Sequence, residues 1–116
     1  MSQITESDVK TEVGEWIDQN WDPNLTVAQW WQLMADARLS HTMLTEEAGG
    51  RGWSRVLNHV ALSVMADKGV LGPPTGLGMM LAAPTIATHG TDAQIREYIP
   101  KILNGQHAWC QLFSEP

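Results

Sequence analysis

The sequence predicts an all-α fold, a bundle of about five helices with a short carboxyl-terminal strand segment. Three observations carry this expectation. Apolar residues recur at three- and four-residue spacing in most segments long enough to form a helix. Hydroxyl residues stand at the heads of these segments, twice with a Gln three residues later, as helix caps do. The run that alternates like a strand, Ala108 to Phe113, comes near the end of the chain.

In chain order, Ser7 is expected to cap a first helix whose apolar residues Val9, Val13, Trp16, Ile17 and Trp21 fall near one face. Asp8 and Glu12 lie toward its positive end. Trp21 to Asn24 then turns the chain, because Pro23 fixes its own φ and the flanking Asp and Asn bond local backbone. A second helix opens at Thr26, paired with Gln29 in a capping box, with Leu25 and Trp30 as a hydrophobic staple and Trp30, Leu33, Met34 and Ala37 as the buried stripe. The adjacent Trp30 and Trp31 could make a stacking platform, but their helical spacing favours packing.

From Ser40 to Gly52 the periodicity dissolves, and the glycines at 49, 50 and 52 indicate a loop with positive φ values. Such a loop can cradle phosphate through its N–H groups, yet it lacks a P-loop's Gly-Lys-Ser/Thr and follows no strand, so a plain turn is expected. Ser54 caps a third helix with Trp53, Val56, Leu57, Val60, Ala61, Val64 and Met65 along its stripe, ending at Asp67-Lys68-Gly69. After Pro73 and Pro74 comes an almost uniformly apolar segment, Leu77 to Ile86, with a kink expected at Pro84. A helix apolar all round is either enclosed or faces an apolar ligand.

The last helix starts at the Thr91–Gln94 capping box. Its stripe is Ile95, Tyr98, Ile99, Ile102 and Leu103, with Arg96, Glu97 and Lys101 opposite. Pro100 removes a backbone donor, so a kink near Tyr98 or a division into two short helices is expected, and Gly105 is the natural stop. In the strand beyond it, Trp109, Gln111 and Phe113 share one side.

The 116 residues suffice for one domain around one core. A net charge of −6 and a pI near 5.0 oppose binding to a phosphate backbone, and nucleic acid is not an expected partner. No apolar stretch approaches the length needed to cross a bilayer, the amino terminus lacks the pattern of a signal peptide, and a cytoplasmic location without membrane insertion is expected. Cys110 is single and sits in an apolar run, where a buried thiol is the expected state.

Other constellations are weak. His41, His59, His89 and His107 are too far apart for a helical metal pair, and no metal site is expected. No G-x-S-x-G elbow exposes a serine nucleophile. Glu46 and Glu47 could work as an acid/base pair only if enclosed, and on a Gly-rich loop they are expected to be solvated. No catalytic residue is assigned.

The stretch G-T-D-A-Q-I-R-E-Y-I-P-K-I-L-N-G followed by W-C-Q-L-F-S-E-P resembles the acyl-CoA dehydrogenase family. In that family a G-T-x-x-Q-(K/R)-x-x-(Y/W)-(L/I)-P helix leads into a flavin-contacting strand ending S/T-E-P. The segment L-T-E-E-A-G-G-R-G-W-S is similar to the family's P-E-E-x-G-G-x-G loop. The resemblance implies an amino-terminal helical domain over residues 1–105 and the start of a truncated β-domain over residues 106–116. The G-A-G-S-D that normally follows S/T-E-P is not in this sequence.

For chemistry, the resemblance implies an FAD-dependent oxidation of an acyl-CoA thioester to the 2,3-enoyl-CoA, with α-proton abstraction and hydride transfer to the flavin. The glutamate base belongs to the family's carboxyl-terminal helical domain, so no Glu here inherits it. Ser114, with backbone groups of Phe113 and Gln111, corresponds by motif to the flavin contact. Leu77, Met79 and Met80 fall on the helix that borders the fatty-acyl pocket, although neighbouring methionines suit a bundle core equally. The implied partners are the acyl-CoA substrate, an electron-transfer acceptor, and further copies or a partner subunit. The competing expectation is a non-enzymatic helical bundle that docks other proteins through its Met-rich face.

Overall fold

A computed structural model of the chain describes residues 4–76 and 78–107. Within them lie five α-helices and no strand, as the periodicity predicts. The expected strand, with Gln111, Phe113 and Ser114, lies outside the described residues, as does Leu77.

Helix α1 is Glu6–Asn20. Its cap is Thr5 rather than the expected Ser7: Thr5 Oγ1 accepts the Asp8 N–H at 3.1 Å while Asp8 Oδ2 accepts the Thr5 N–H at 2.9 Å. Ser7 could form no such reciprocal box, because Lys10 three residues on has no acceptor to return. Hydrogen bonds from the Thr5 backbone and then its hydroxyl hold the Asp8 carboxyl below its ordinary pKa. Helix α2, Val27–Asp36, and helix α5, Asp92–Leu103, open with the predicted boxes at Thr26–Gln29 and Thr91–Gln94. Helix α3, Arg55–Asp67, opens with Ser54 Oγ accepting the Leu57 N–H, and Gly69 beyond its end has φ 71°.

Pro84 does not simply kink the apolar segment. A π-helical turn, Gly78–Ala82, runs directly into helix α4, Ala83–His89, and Pro84 sits in the first turn of α4, where a missing N–H is tolerated. Pro100 likewise does not divide α5 into two elements. It is exposed, and its own carbonyl still accepts the Asn104 N–H at 3.1 Å. Burial of Ile99, Ile102 and Leu103 around it offsets the lost bond.

Among the described residues the single core expected from chain length is divided into two. Helix α1 packs on α3, and Val9, Val13, Ile17, Trp30, Met34, Val60, Ala61 and Met65 form the first cluster. Helix α4 packs on α5, and Met79, Ala83, Ile99, Ile102 and Leu103 join Leu44 and Ala48 in the second. Helix α2 lies between them: Trp30 and Met34 belong to the first cluster, while Ala35 packs against the second. A short helix apolar on two sides can serve two cores only by standing between them.

Candidate functional site

The Gly-rich loop is a brace. Its chain makes a short 3-10 turn at Glu46–Ala48, and Gly49 and Gly52 take the positive φ values the sequence calls for, 97° and 66°. The N–H groups of Gly49, Gly50, Arg51 and Gly52 donate to the carbonyls of Glu46, Thr45, Thr42 and Leu44. None of these four remains for a phosphate, so the loop is the expected turn. Two arginines tie it down. Arg38 donates to the carbonyls of Glu46 and Gly50, and Arg51 bonds the Ala37 carbonyl at 2.7 Å, pairs with Glu12 at 2.8 Å and lies over the Trp53 ring.

This bracing fixes the bend Ser40–Met43, whose sequence carried no periodic signal. Thr42 is buried: its hydroxyl donates to Asn58 Oδ1 on α3 at 2.7 Å, and its carbonyl accepts from the backbone of Arg51 and Trp53. The bend is thereby held against one face of α3. On the opposite side the segment from Val70 to Gly76 is held by adjacent indoles on α2. Trp30 Nε1–H donates to the Leu71 carbonyl at 2.8 Å and Trp31 Nε1–H to the Gly72 carbonyl at 2.9 Å. Trp30 is buried against Trp16 and Trp21, with ring centroids 5.1 and 5.0 Å away. The pair is therefore packing and anchorage, and its second indole also limits Gly105, where a Cβ would come within 2.3 Å of the Trp31 ring.

Between the bend, α3, this anchored segment and the π-helical turn lies an open cleft of about 780 Å³. Met65, Val70 and Met79 form its buried floor, and Met43, Leu62 and Met80 stand exposed at its rim. The lining is mostly apolar, with polar contributions from Ser40, His41, Arg55 and Asn58. Burial pushes the His41 imidazole below its ordinary pKa, against the opposing pull of a hydrogen bond with the Met79 backbone. Ser40 is buried, and its Oγ has no hydrogen-bond partner among the described residues.

Of the residues singled out in the sequence, Met79 and Met80 both line this cleft. The widened π-helical turn presents both neighbours to it, an arrangement frequent at functional sites. Glu46 and Glu47 are exposed, as expected, and line a separate cleft with Arg38 and Arg96. No group of His, Cys, Asp or Glu among the described residues is placed to hold a metal ion, and no described helix is long and apolar enough to cross a membrane. The sequence reading missed Ser40, His41, Arg55 and Asn58. A polar pair inside a non-periodic segment was the one available hint.

Known proteins resemble this chain along most of its length. The family model for the acyl-CoA dehydrogenase N-terminal domain matches residues 1–106. The mitochondrial isovaleryl-CoA dehydrogenase of Oryza sativa subsp. japonica is 31% identical over 87 residues, which cover 74% of this chain and 21% of that protein. The acyl-CoA dehydrogenase IpdE1 of Mycolicibacterium smegmatis is 36% identical over 88 residues, covering 75% of this chain and 22% of that protein. The acyl-CoA dehydrogenase FadE34 of Mycobacterium tuberculosis is 57% identical over 35 residues, 30% of this chain and 5% of that one. The chain thus spans less than a quarter of the length of each relative. No solved structure matches.

Proposed function

Because the chain belongs to the acyl-CoA dehydrogenase family, as its amino-terminal helical domain, we propose that it forms one wall of the acyl site in a flavin-dependent enzyme that oxidises an acyl-CoA thioester to the 2,3-enoyl-CoA. One observation carries the reading. Met79 and Met80, on the segment associated by resemblance with the fatty-acyl group, both line an apolar cleft whose volume of about 780 Å³ lies within the usual range of ligand sites. The unbranched thioethers can shape themselves to a flexible acyl chain, and the anchored segment from Val70 to Gly76 keeps the opposite side in place.

The chain's task in this proposal is to bind and orient the acyl group and to exclude water around it. FAD supplies the hydride acceptor. The Gly-rich loop offers it no N–H cradle, since Gly49, Gly50, Arg51 and Gly52 donate to carbonyls of the loop and bend. Contact with the cofactor is assigned to Gln111, Phe113 and Ser114, outside the described residues. No Asp or Glu is among the described residues that line the acyl cleft, so in this proposal the base that takes the α-proton comes from another part of the assembly. An electron-transfer acceptor, association with further copies or a partner subunit, and a cytoplasmic setting belong to the same proposal.

Photolabelling tests it. In the assembled dehydrogenase, an acyl-CoA with a diazirine at its far end should label Met79 or Met80, and excess unlabelled acyl-CoA should compete. Labelling that avoids the cleft would refute the assignment. A protein-docking module is the competing reading, favoured by the exposure of Met80 and Leu81. It predicts no competition by acyl-CoA.

A further inference from the structure

The methionines among the described residues divide by exposure. Met34, Met65 and Met79 are 0%, 1% and 9% exposed, whereas Met43 is 38% and Met80 71% exposed. Both exposed thioethers stand at the rim of the same apolar cleft, Met43 on the bend before the Gly-rich loop and Met80 on the π-helical turn. Thioether oxidation follows access, and it turns a flexible apolar side chain into a polar one. At the rim of an open apolar cleft, that change falls on the surface an apolar ligand would touch.

We propose that Met80 and Met43 form an oxidation-sensitive lip, through which peroxide switches the cleft from an apolar to a polar surface. In the step, the thioether sulfur attacks one oxygen of hydrogen peroxide. The O–O bond breaks, an S–O bond forms, and the other oxygen leaves as water after proton transfer. Sulfur is oxidised by two electrons and peroxide is reduced by two. The thiol-dependent reduction of a methionine sulfoxide reductase reverses the change. Met65 and Met79, on the floor, are shielded, so the fold outlasts modification of the lip. That the cleft's ligand is an acyl thioester rests on the function proposed above; the placing of the oxidation sites does not.

The test treats the chain with graded hydrogen peroxide and reads each methionine by peptide-mapping mass spectrometry, alongside emission of anilinonaphthalene sulfonate, an anionic dye that brightens on apolar surface, at the cleft. Met80 should oxidise first and Met43 next, ahead of Met34, Met65 and Met79. Dye binding should weaken about tenfold with helical circular dichroism retained. Methionine sulfoxide reductase should restore dye binding, and a chain carrying Met43→Leu and Met80→Leu should bind dye whether or not peroxide is present. Oxidation of Met34 or Met65 as fast as Met80 would overturn the proposal, as would a fully oxidised lip with unchanged dye binding. A separate arm adds octanoyl-CoA to the assembled dehydrogenase before peroxide. Protection of Met80 supports the acyl reading, and lack of protection counts against that reading alone, leaving the oxidation map to decide the lip.

Discussion

Trp30 Nε1–H donates to the carbonyl of Leu71 at 2.8 Å, joining the middle of α2 to a segment 41 residues further along the chain. The indole is buried, and the segment it holds borders the apolar cleft. Trp30→Phe keeps most of the apolar volume while removing the donor, and we expect it to destabilise the chain by about 1–3 kcal/mol. Thermal denaturation reads the loss. Hydrogen exchange should localise it, with faster exchange from Val70 to Gly76 than in α1. Unchanged exchange there would show that the bond does not hold the segment.

Three glycines should give a graded series. A Cβ at Gly50 would lie 2.2 Å from the Leu44 carbonyl oxygen and 2.6 Å from that of His41, and neither backbone atom can swing away. Gly50→Ala should therefore cost about 3 kcal/mol or more. Gly52 has φ 66° and open space around it, so Gly52→Ala should cost about 1–2 kcal/mol from backbone conformation alone. Gly72 has neither constraint, and Gly72→Ala should stay within about 0.5 kcal/mol. Urea unfolding of the three variants orders them, and a Gly50→Ala chain as stable as the parent would show that the loop can shift bodily.

His41 should make stability depend on pH. Burial lowers its pKa in the folded chain relative to the unfolded one, whose value is near 6.5. Between these two values the unfolded state binds more protons, so the contribution is complete above about pH 6.5 and is lost as pH falls through the lower, folded value. His41→Gln should flatten this limb of the stability profile. Denaturant midpoints from pH 7.5 to 5 supply the check, and an equally steep limb in the variant would assign the dependence to other groups.

Met80→Trp addresses the proposed acyl wall. Because Met80 is largely exposed, the larger ring should be accommodated with a stability change within about 0.5 kcal/mol. In the assembled dehydrogenase it should shift preference toward shorter acyl groups by occupying cleft volume. Steady-state kcat/KM across acyl-CoA chain lengths gives the readout. A lowered melting temperature with unaltered selectivity would return Met80 to a packing role.

What could be read beforehand follows the range of the interactions concerned. The boxes at Thr26–Gln29 and Thr91–Gln94 are closed by residues three apart, so the sequence contains both partners. Thr5–Asp8 has the same spacing and closes in the same way, with Asp as the returning acceptor in place of Gln. Trp30 was legible as a core residue; its acceptor on Leu71 was not, because only the folded chain brings them together. The π-helical turn depends on how the chain passes Pro84 against packed neighbours, which no periodicity encodes. Met79 and Met80 were marked by resemblance, while Ser40 and His41 reach the cleft because Thr42 pins their bend to α3, the helix that carries Arg55 and Asn58.

The division of the interior into two clusters also sets an order of assembly. Every buried residue of the first cluster lies between Val9 and Val70, whereas the second draws on residues as late as Leu103. A chain leaving the ribosome amino terminus first therefore frees all the parts of the first cluster before the last helix has emerged. Helix α2 can then seat Trp30 and Met34 early and offer Ala35 as a ready surface to the late arrivals. Until Ile99, Ile102 and Leu103 emerge, Leu44 and Ala48 lack those partners, and the nascent chain presents them as a sticky half-site.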